Sequence, residues 1–271
     1  MINLNEGIKF NDHNGVFEFD FKNNGDKDII QFDRFGLEPV ITDLYGNVYY
    51  FGYEFTSNTS SKTRTNFFNA LRFNDNFTSK ENRDYFIDSA LSKLNNVIDL
   101  NTFGCIIYPA SRSKINSELV QKMYKIFNVN LEYFELVKEL PKNITFDYEN
   151  FKREVLDDMI NGVPRYTTKQ KEEALKTVDS IMKAIHESDY FSIAQSAKKN
   201  KYKLYFNNFL RFKTEDYEKA YKKLNNVKNI LVIDDVMTTG STIFQIIKTI
   251  RGLNTASKIV IFTLVGKKNI M

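Results

Sequence analysis

Apolar and polar positions along this chain follow two rhythms. Near the start they alternate. Phe17, Phe19 and Phe21 are spaced by Glu18 and Asp20, and Tyr49, Phe51, Tyr53 and Phe55 repeat the pattern. Period two is that of a strand with one buried face. Turn formers stand between these runs, at Asn11-Asp12-His13-Asn14-Gly15, Asn23-Asn24-Gly25-Asp26 and Tyr45-Gly46-Asn47. Residues 1 to about 57 therefore predict a small antiparallel sheet packed on the rest. Ser57 to Ser61 reads as a linker or helix entry. After Ser79-Lys80-Glu81-Asn82, the set Tyr85, Phe86, Ala90, Leu91 and Leu94 falls on one helix face. Lys62, Arg64 and Arg72 cluster nearby and read as a solvated basic face.

From Phe103 the pattern becomes α/β. Phe103 to Tyr108 is a short buried strand, and Ala110-Ser111-Arg112-Ser113-Lys114 is a polar loop. Ile115, Leu119, Met123 and Ile126 follow at helical spacing, and Asn130 to Val137 reads as a second strand. Residues 142 to 190 are mostly helical and charged, broken at Asn161-Gly162-Val163-Pro164. An extended stretch at 201–212 and a helix from Glu215 to Leu224 come next. Ile230 to Ile233 are then consecutive apolar residues, as in a strand buried on both faces of a parallel sheet. Asp234 and Asp235 end that strand. A small hydroxyl-rich loop leads to Ile243, Ile246, Ile247 and Ile250 at helical spacing, and Ile259 to Val265 is another buried strand. Strand, loop, helix and strand in this order make a crossover unit of a parallel sheet.

Composition narrows the function classes. The 271 residues carry 38 Lys plus Arg against 34 Asp plus Glu, a formal net charge of +4. That is far from the concentrated field of a dedicated nucleic-acid binder. A single cysteine, Cys105, rules out an intrachain disulfide or a cysteine-based zinc site. His13 and His186 have no metal-ligand spacing and read as surface residues. The 24 Phe and 15 Tyr match a general bias that also favours Asn, Lys and Ile, so aromatic content is no evidence for a ligand face. The first residues lack the basic and apolar segments of a signal peptide, and no apolar run approaches a membrane span. The expectation is a cytoplasmic protein.

The segment 234–242 has a physical logic of its own. A helix N-terminus offers unpaired backbone N–H groups and a partial positive charge, which suits a phosphate. Gly240 permits close approach and unusual dihedrals. Thr238, Thr239, Ser241 and Thr242 add hydroxyl donors. Paired carboxylates repel a phosphate but accept hydrogen bonds from a sugar diol. A ligand carrying both groups, such as ribose 5-phosphate, accounts for the whole segment. Ligands of open α/β sheets bind at carboxyl ends of strands, where this loop falls.

Val-Ile-Asp-Asp-Val-Met-Thr-Thr-Gly-Ser-Thr, from Val232 to Thr242, resembles the phosphoribosyl pyrophosphate (PRPP) motif of type I phosphoribosyltransferases. The style is closest to ComF-like members, although the N-terminal zinc-binding cysteines many of those carry are missing here. The resemblance covers roughly residues 100–137 and 200–268. It implies a mostly parallel α/β sheet of that kind over 101–271; the helical insertion at about 142–195 and the β-rich, then helical extension over 1–100 lie outside the resemblance. It implies that Asp234 and Asp235 hold the ribose hydroxyls, with the Asp235 carboxylate at the strand end facing the ligand rather than the core. Thr238, Thr239, Gly240, Ser241 and Thr242 would cradle the 5-phosphate. Mg2+ would arrive with the ligand, near the acidic pair and without direct protein ligands. The family also has a pyrophosphate loop after its first core strand, and the matching place is 110–114. Arg112 and Lys114 would there stabilise the leaving pyrophosphate, with Ser111 and Ser113 beside them.

One departure bears on mechanism. Purine-salvage members place an acidic residue where Thr238 stands, and Thr is no general base near neutral pH. Orotate-type members share the Thr and close a mobile loop over the site. The stretch Lys198 to Lys203 and the surroundings of Arg211 and Lys213 are the candidates for such a loop. Three readings stay open: phosphoribosyl transfer to an unidentified nitrogen acceptor, a non-catalytic PRPP or nucleotide sensor, and an effector or scaffold in a bacterial or phage defence or DNA-uptake system. A homo-oligomer or protein partner would engage the N-terminal extension.

Overall fold

A computed structural model of the chain describes residues 7–11, 16–20, 30–31, 41–43, 46–55, 60–73, 80–111, 113–160, 167–187, 205–237 and 240–266. Arg112, Thr238 and Thr239 lie outside the described residues. So do His13, Phe21, most of the N-terminal turn formers, the break at 161–164, the 198–203 stretch and the side chain of His186.

Four short strands, β1 (Gly7–Asn11), β2 (Val16–Asp20), β3 (Ile30–Gln31) and β4 (Ile41–Thr42), precede a long one, β5 (Val48–Phe55). Two helices follow, α1 (Ser61–Phe73) and α2 (Lys80–Asn95). The Ser60 hydroxyl accepts from the Thr63 N–H at 3.0 Å and starts α1 as an N-cap does. Then come β6 (Cys105–Pro109), α3 (Ile115–Phe127) and β7 (Glu132–Lys138). The helical block holds β8 (Thr145–Phe146), α4 (Tyr148–Ile160) and α5 (Thr168–Glu187), and β8 pairs separately with β9 (Phe206–Asn207). The chain closes with β10 (Leu210–Phe212), α6 (Tyr217–Leu224), β11 (Asn229–Val236), α7 (Ser241–Arg251) and β12 (Lys258–Gly266).

The fold is α/β, with a mostly parallel central sheet. Strands β7, β6, β11, β12 and β5 lie side by side in that order, all parallel, and β10 adds antiparallel to β7. Beyond β5 the sheet continues antiparallel through β3, β1 and β2, with β4 also on β5. Strand β5 differs from its sequence reading. It sits in the parallel sheet beside β12, from Val260 opposite Val48 to Gly266 opposite Glu54. It is therefore covered on both faces. Tyr49 and Phe51 join one core, while Tyr53 joins the other, where its ring stacks on Phe86 at 3.8 Å and its hydroxyl donates to the Phe86 carbonyl at 2.7 Å.

Each side of the sheet carries its own core. One packs Ile107, Val232 and Ile261 under α7 and α6, through Ile243, Ile246, Ile250 and Leu224. Phe151 of α4 and Val178 of α5 extend it. The other packs Ile106, Leu231, Ile233 and Phe262 under α1, α2 and α3, through Phe67, Leu71, Phe86, Leu91, Leu119 and Met123. Cys105 belongs to the first core; burial pushes its thiol up to about 12, so it keeps its proton and acts as a packing residue.

Strand order fixes where a ligand can sit. From β6 the chain crosses through α3 to β7 on one side, then returns to β11 on the other. The direction of winding thus reverses between β6 and β11. Their carboxyl ends, at Pro109 and at Asp234-Asp235, lie side by side, and the crevice at such a point is where open α/β sheets hold ligands.

Gly52 of β5 marks how closely α2 rides on the sheet. A Cβ there would stand 2.7 Å from the Leu264 carbonyl oxygen and 2.9 Å from Ala90 Cβ. Gly52→Ala is expected to cost about 1–3 kcal/mol by overpacking. Urea unfolding should show a lower midpoint with an unchanged slope.

Candidate functional site

Two loops meet at the crevice, and each ends in the same local geometry. After β6, the Lys114 N–H bonds back to the Ser111 carbonyl at 3.1 Å, closing a turn. Lys114 then sits in the left-handed region at φ 57°, and α3 begins. After β11, Gly240 sits at φ 68°, and α7 begins. Neither residue caps its helix with a side chain. A left-handed Gly costs little, but a left-handed Lys is strained, and such strain concentrates at functional sites. Ser111 and Ser113 share a hydroxyl–hydroxyl bond of 2.8 Å, and Lys114 is exposed. Ser241 is buried and Thr242 half-buried at the start of α7.

The acidic pair joins the loops. Asp234 Oδ1 accepts from Asn116 Nδ2 at 3.2 Å and from the Asp235 N–H at 2.9 Å. Asn116 is the second residue of α3, directly after the first loop, and its Nδ2 also donates to the Pro109 carbonyl at 2.9 Å. One buried amide therefore ties the end of β6 to the end of β11. Its own Oδ1 is buried and has no hydrogen-bond partner among the described residues. Burial first, then the neighbouring Asp235 charge, holds the Asp234 carboxyl well above the usual carboxylate range. The bonds from Asn116 and from the Asp235 N–H, with the Arg72 charge, act the other way and do not prevail.

Asp235 departs from its sequence reading. Its side chain is only 5% exposed, and both its oxygens are occupied. Arg72 of α1 donates from Nε to Oδ2 at 2.6 Å and from Nη2 to Oδ1 at 3.1 Å. This is a bidentate, charge-assisted fork. Burial works against the guanidinium, but the Asp235 carboxylate outweighs it, and Arg72 holds its proton more tightly than usual. Arg72 is thus no solvated member of a basic face. The nearby sequence cluster hides it, because a charged helix position looks the same whether it meets water or a carboxylate 163 residues away.

Arg83 fixes the helix that carries Arg72. It is 6% exposed, donates from Nε to the Leu71 carbonyl at 2.8 Å, and forks onto Glu118 of α3 at 2.7 and 2.8 Å. The carboxyl end of α1 and the amino half of α3 are thereby clamped together above the crevice. Sequence reading missed Asn116, Arg72 and Arg83. A polar residue at a buried helix position was the one signal available for Asn116 and Arg83.

Of the residues singled out by sequence, Ser111, Ser113, Lys114, Asp234, Asp235, Gly240, Ser241 and Thr242 all flank this crevice. Lys213 and Arg211 do not. They pair with Glu135 and Glu139 at the β10–β7 edge. Among the described residues no helix is long and apolar enough to cross a membrane. No family model matches the chain, and no curated protein matches it.

Because the folded chain holds the Asp234 proton more tightly than the unfolded chain does, this group contributes stability at low pH. That contribution is lost as pH rises from the ordinary carboxylate range through the raised folded value. Asp234→Asn removes the dependence. Relative to the parent, the variant should gain in melting temperature between pH 4 and pH 8, and a parallel pair of melting curves across that range would exclude a buried, raised carboxyl.

Proposed function

We propose that the crevice binds PRPP and that the chain transfers its 5-phosphoribosyl group to a nitrogen acceptor, releasing pyrophosphate. The observation that carries this reading is the meeting of the two loops: Asn116, at the head of the helix after 110–114, is bonded to Asp234 of the PRPP-like motif. Two sequence-distant segments are thereby joined at the reversal of strand order. The type I phosphoribosyltransferase fold is part of the same proposal, as is its ComF-like style.

The ligand would lie across the crevice. Its 5-phosphate takes the N–H groups and hydroxyls at 238–242, where Gly240 leaves no Cβ in the way. Its 2- and 3-hydroxyls donate to the acidic pair. Its pyrophosphate faces the 111–114 loop, where Lys114 supplies a point charge and Arg112 a fork. Carboxylate oxygens are suitable neighbours for Mg2+, but one carboxyl here is buried and the other is already paired. Mg2+ carried by the phosphates neutralises part of their charge when bound. The C1–oxygen bond to pyrophosphate breaks as the acceptor nitrogen bonds to C1, through a transition state with oxocarbenium character. The acceptor's proton leaves to solvent or a base, and the electron pair leaves with pyrophosphate. The protein's part is to hold the donor, match the leaving charge and exclude water.

Calorimetry with PRPP and Mg2+ tests binding, and pyrophosphate release with a panel of bases tests transfer. Binding without release for any acceptor would favour the sensor, and absence of binding the scaffold. Asp235→Asn should weaken PRPP by roughly ten- to a hundredfold, since bonds to a charged acceptor are worth ~1.5–3 kcal/mol. Unchanged affinity in the folded variant would count against a ribose contact. Replacing both Arg112 and Lys114 with Ala should weaken PRPP far more than ribose 5-phosphate, and raised salt should narrow the parent's preference for PRPP. Equal, small losses for both ligands would remove the 111–114 loop from the site.

A further inference from the structure

The Arg72–Asp235 fork raises a question that the ligand reading leaves unanswered. A sugar diol needs the carboxylate oxygens of Asp235, and both already accept from a guanidinium. We propose that Arg72 is a specificity-determining residue that changes partners. It keeps Asp235 closed until one ligand brings a vicinal diol together with a second anionic group, and it then moves to that group. This rests on the phosphoribosyl reading of the site.

The surroundings of Arg72 allow its side chain to move while its backbone stays. The carboxyl end of α1 is tied through the Leu71 carbonyl to Arg83, and through Arg83 to Glu118 on α3. Among the described residues, the guanidinium bonds to Asp235 through two of its five donors and lies 5.9 Å from the centre of the Phe68 ring, and the side chain is 37% exposed. The destination lies close by. Asp235 adjoins Asp234, and Asp234 is bonded to Asn116 at the head of α3, just after the 111–114 loop. An anion bound at that loop stands beside the acidic pair.

The exchange makes recognition of the two ligand parts cooperative. A diol without a second anion must break two charge-assisted bonds and leave the guanidinium to water. Ribose 5-phosphate has its one phosphate committed to the 238–242 loop, so it bears that cost. PRPP offers the guanidinium a new partner as it takes the old one. Arg72 therefore favours PRPP over ribose 5-phosphate twice, by excluding one and by attracting the other.

The full-length chain and its Arg72→Ala, Arg72→Gln and Arg72→Lys variants would be titrated calorimetrically with each ligand in Mg2+, with melting curves run alongside. Arg72→Gln keeps a hydrogen-bond donor of similar length and guards against loss of fold in Arg72→Ala. The expected result is that ribose 5-phosphate binds about three- to tenfold more tightly to the Ala and Gln variants, the scale of one partly exposed ion pair. PRPP should bind more weakly to them, so the preference falls by tenfold or more, with Lys between. Equal weakening of both ligands, or an unchanged preference, would make Arg72 a structural staple and overturn the exchange alone. A parent chain that binds neither ligand would overturn the phosphoribosyl reading, and the exchange with it.

Discussion

Two adjacent carboxylates at the buried end of β11 are the constraint that organises this molecule. Neither can stand there uncompensated, because charge withdrawn from water is expensive unless it is paired or lost to a proton. The two residues meet the demand differently. Asp234 is buried, receives two N–H bonds and favours its neutral form. Asp235 receives a guanidinium. Each solution recruits a different helix, α3 through Asn116 and α1 through Arg72, and Arg83 then locks those helices to each other. The arrangement around the crevice follows from satisfying one dipeptide.

That view also explains why the crevice wall is built from distant parts of the chain. The parallel strands bring their carboxyl ends together but supply few charges there. Among the described residues the counter-charge is Arg72, from the face covered by α1, α2 and α3. The opposite face, under α6 and α7 and extended by α4 and α5, is an apolar layer whose role is to hold β11 and the head of α7 in place.

Much of this was legible from residues alone. The run Ile230 to Ile233, the acidic pair, Gly240 and the spacing of Ile243, Ile246 and Ile250 define a strand, turn and helix, because buried parallel strands are apolar throughout and phosphate-type turns need a small residue. The loop at 110–114 was equally visible, between an apolar run and a helical period. What stayed hidden was pairing across long separations. Alternation in Tyr49, Phe51 and Tyr53 says that a strand is present, not that its neighbour is β12, some two hundred residues later. Arg72 reads as an ordinary helix charge. Asn116 carried a faint signal as a polar residue on an apolar face, yet its partner is 118 residues away.

The placement of β5 has a consequence for how the chain tolerates being shortened. This strand covers the outer side of β12 along nearly its whole length. Without it, β12 would present a row of unpaired backbone donors and acceptors bordered by Ile259, Ile261, Phe262 and Leu264, all core residues. A long, flat, apolar edge is a template for adding strands from other molecules. Strand β5 is thus what keeps this edge of the α/β sheet paired, and a fragment that began after it would carry an aggregation-prone border in the middle of what had been its core.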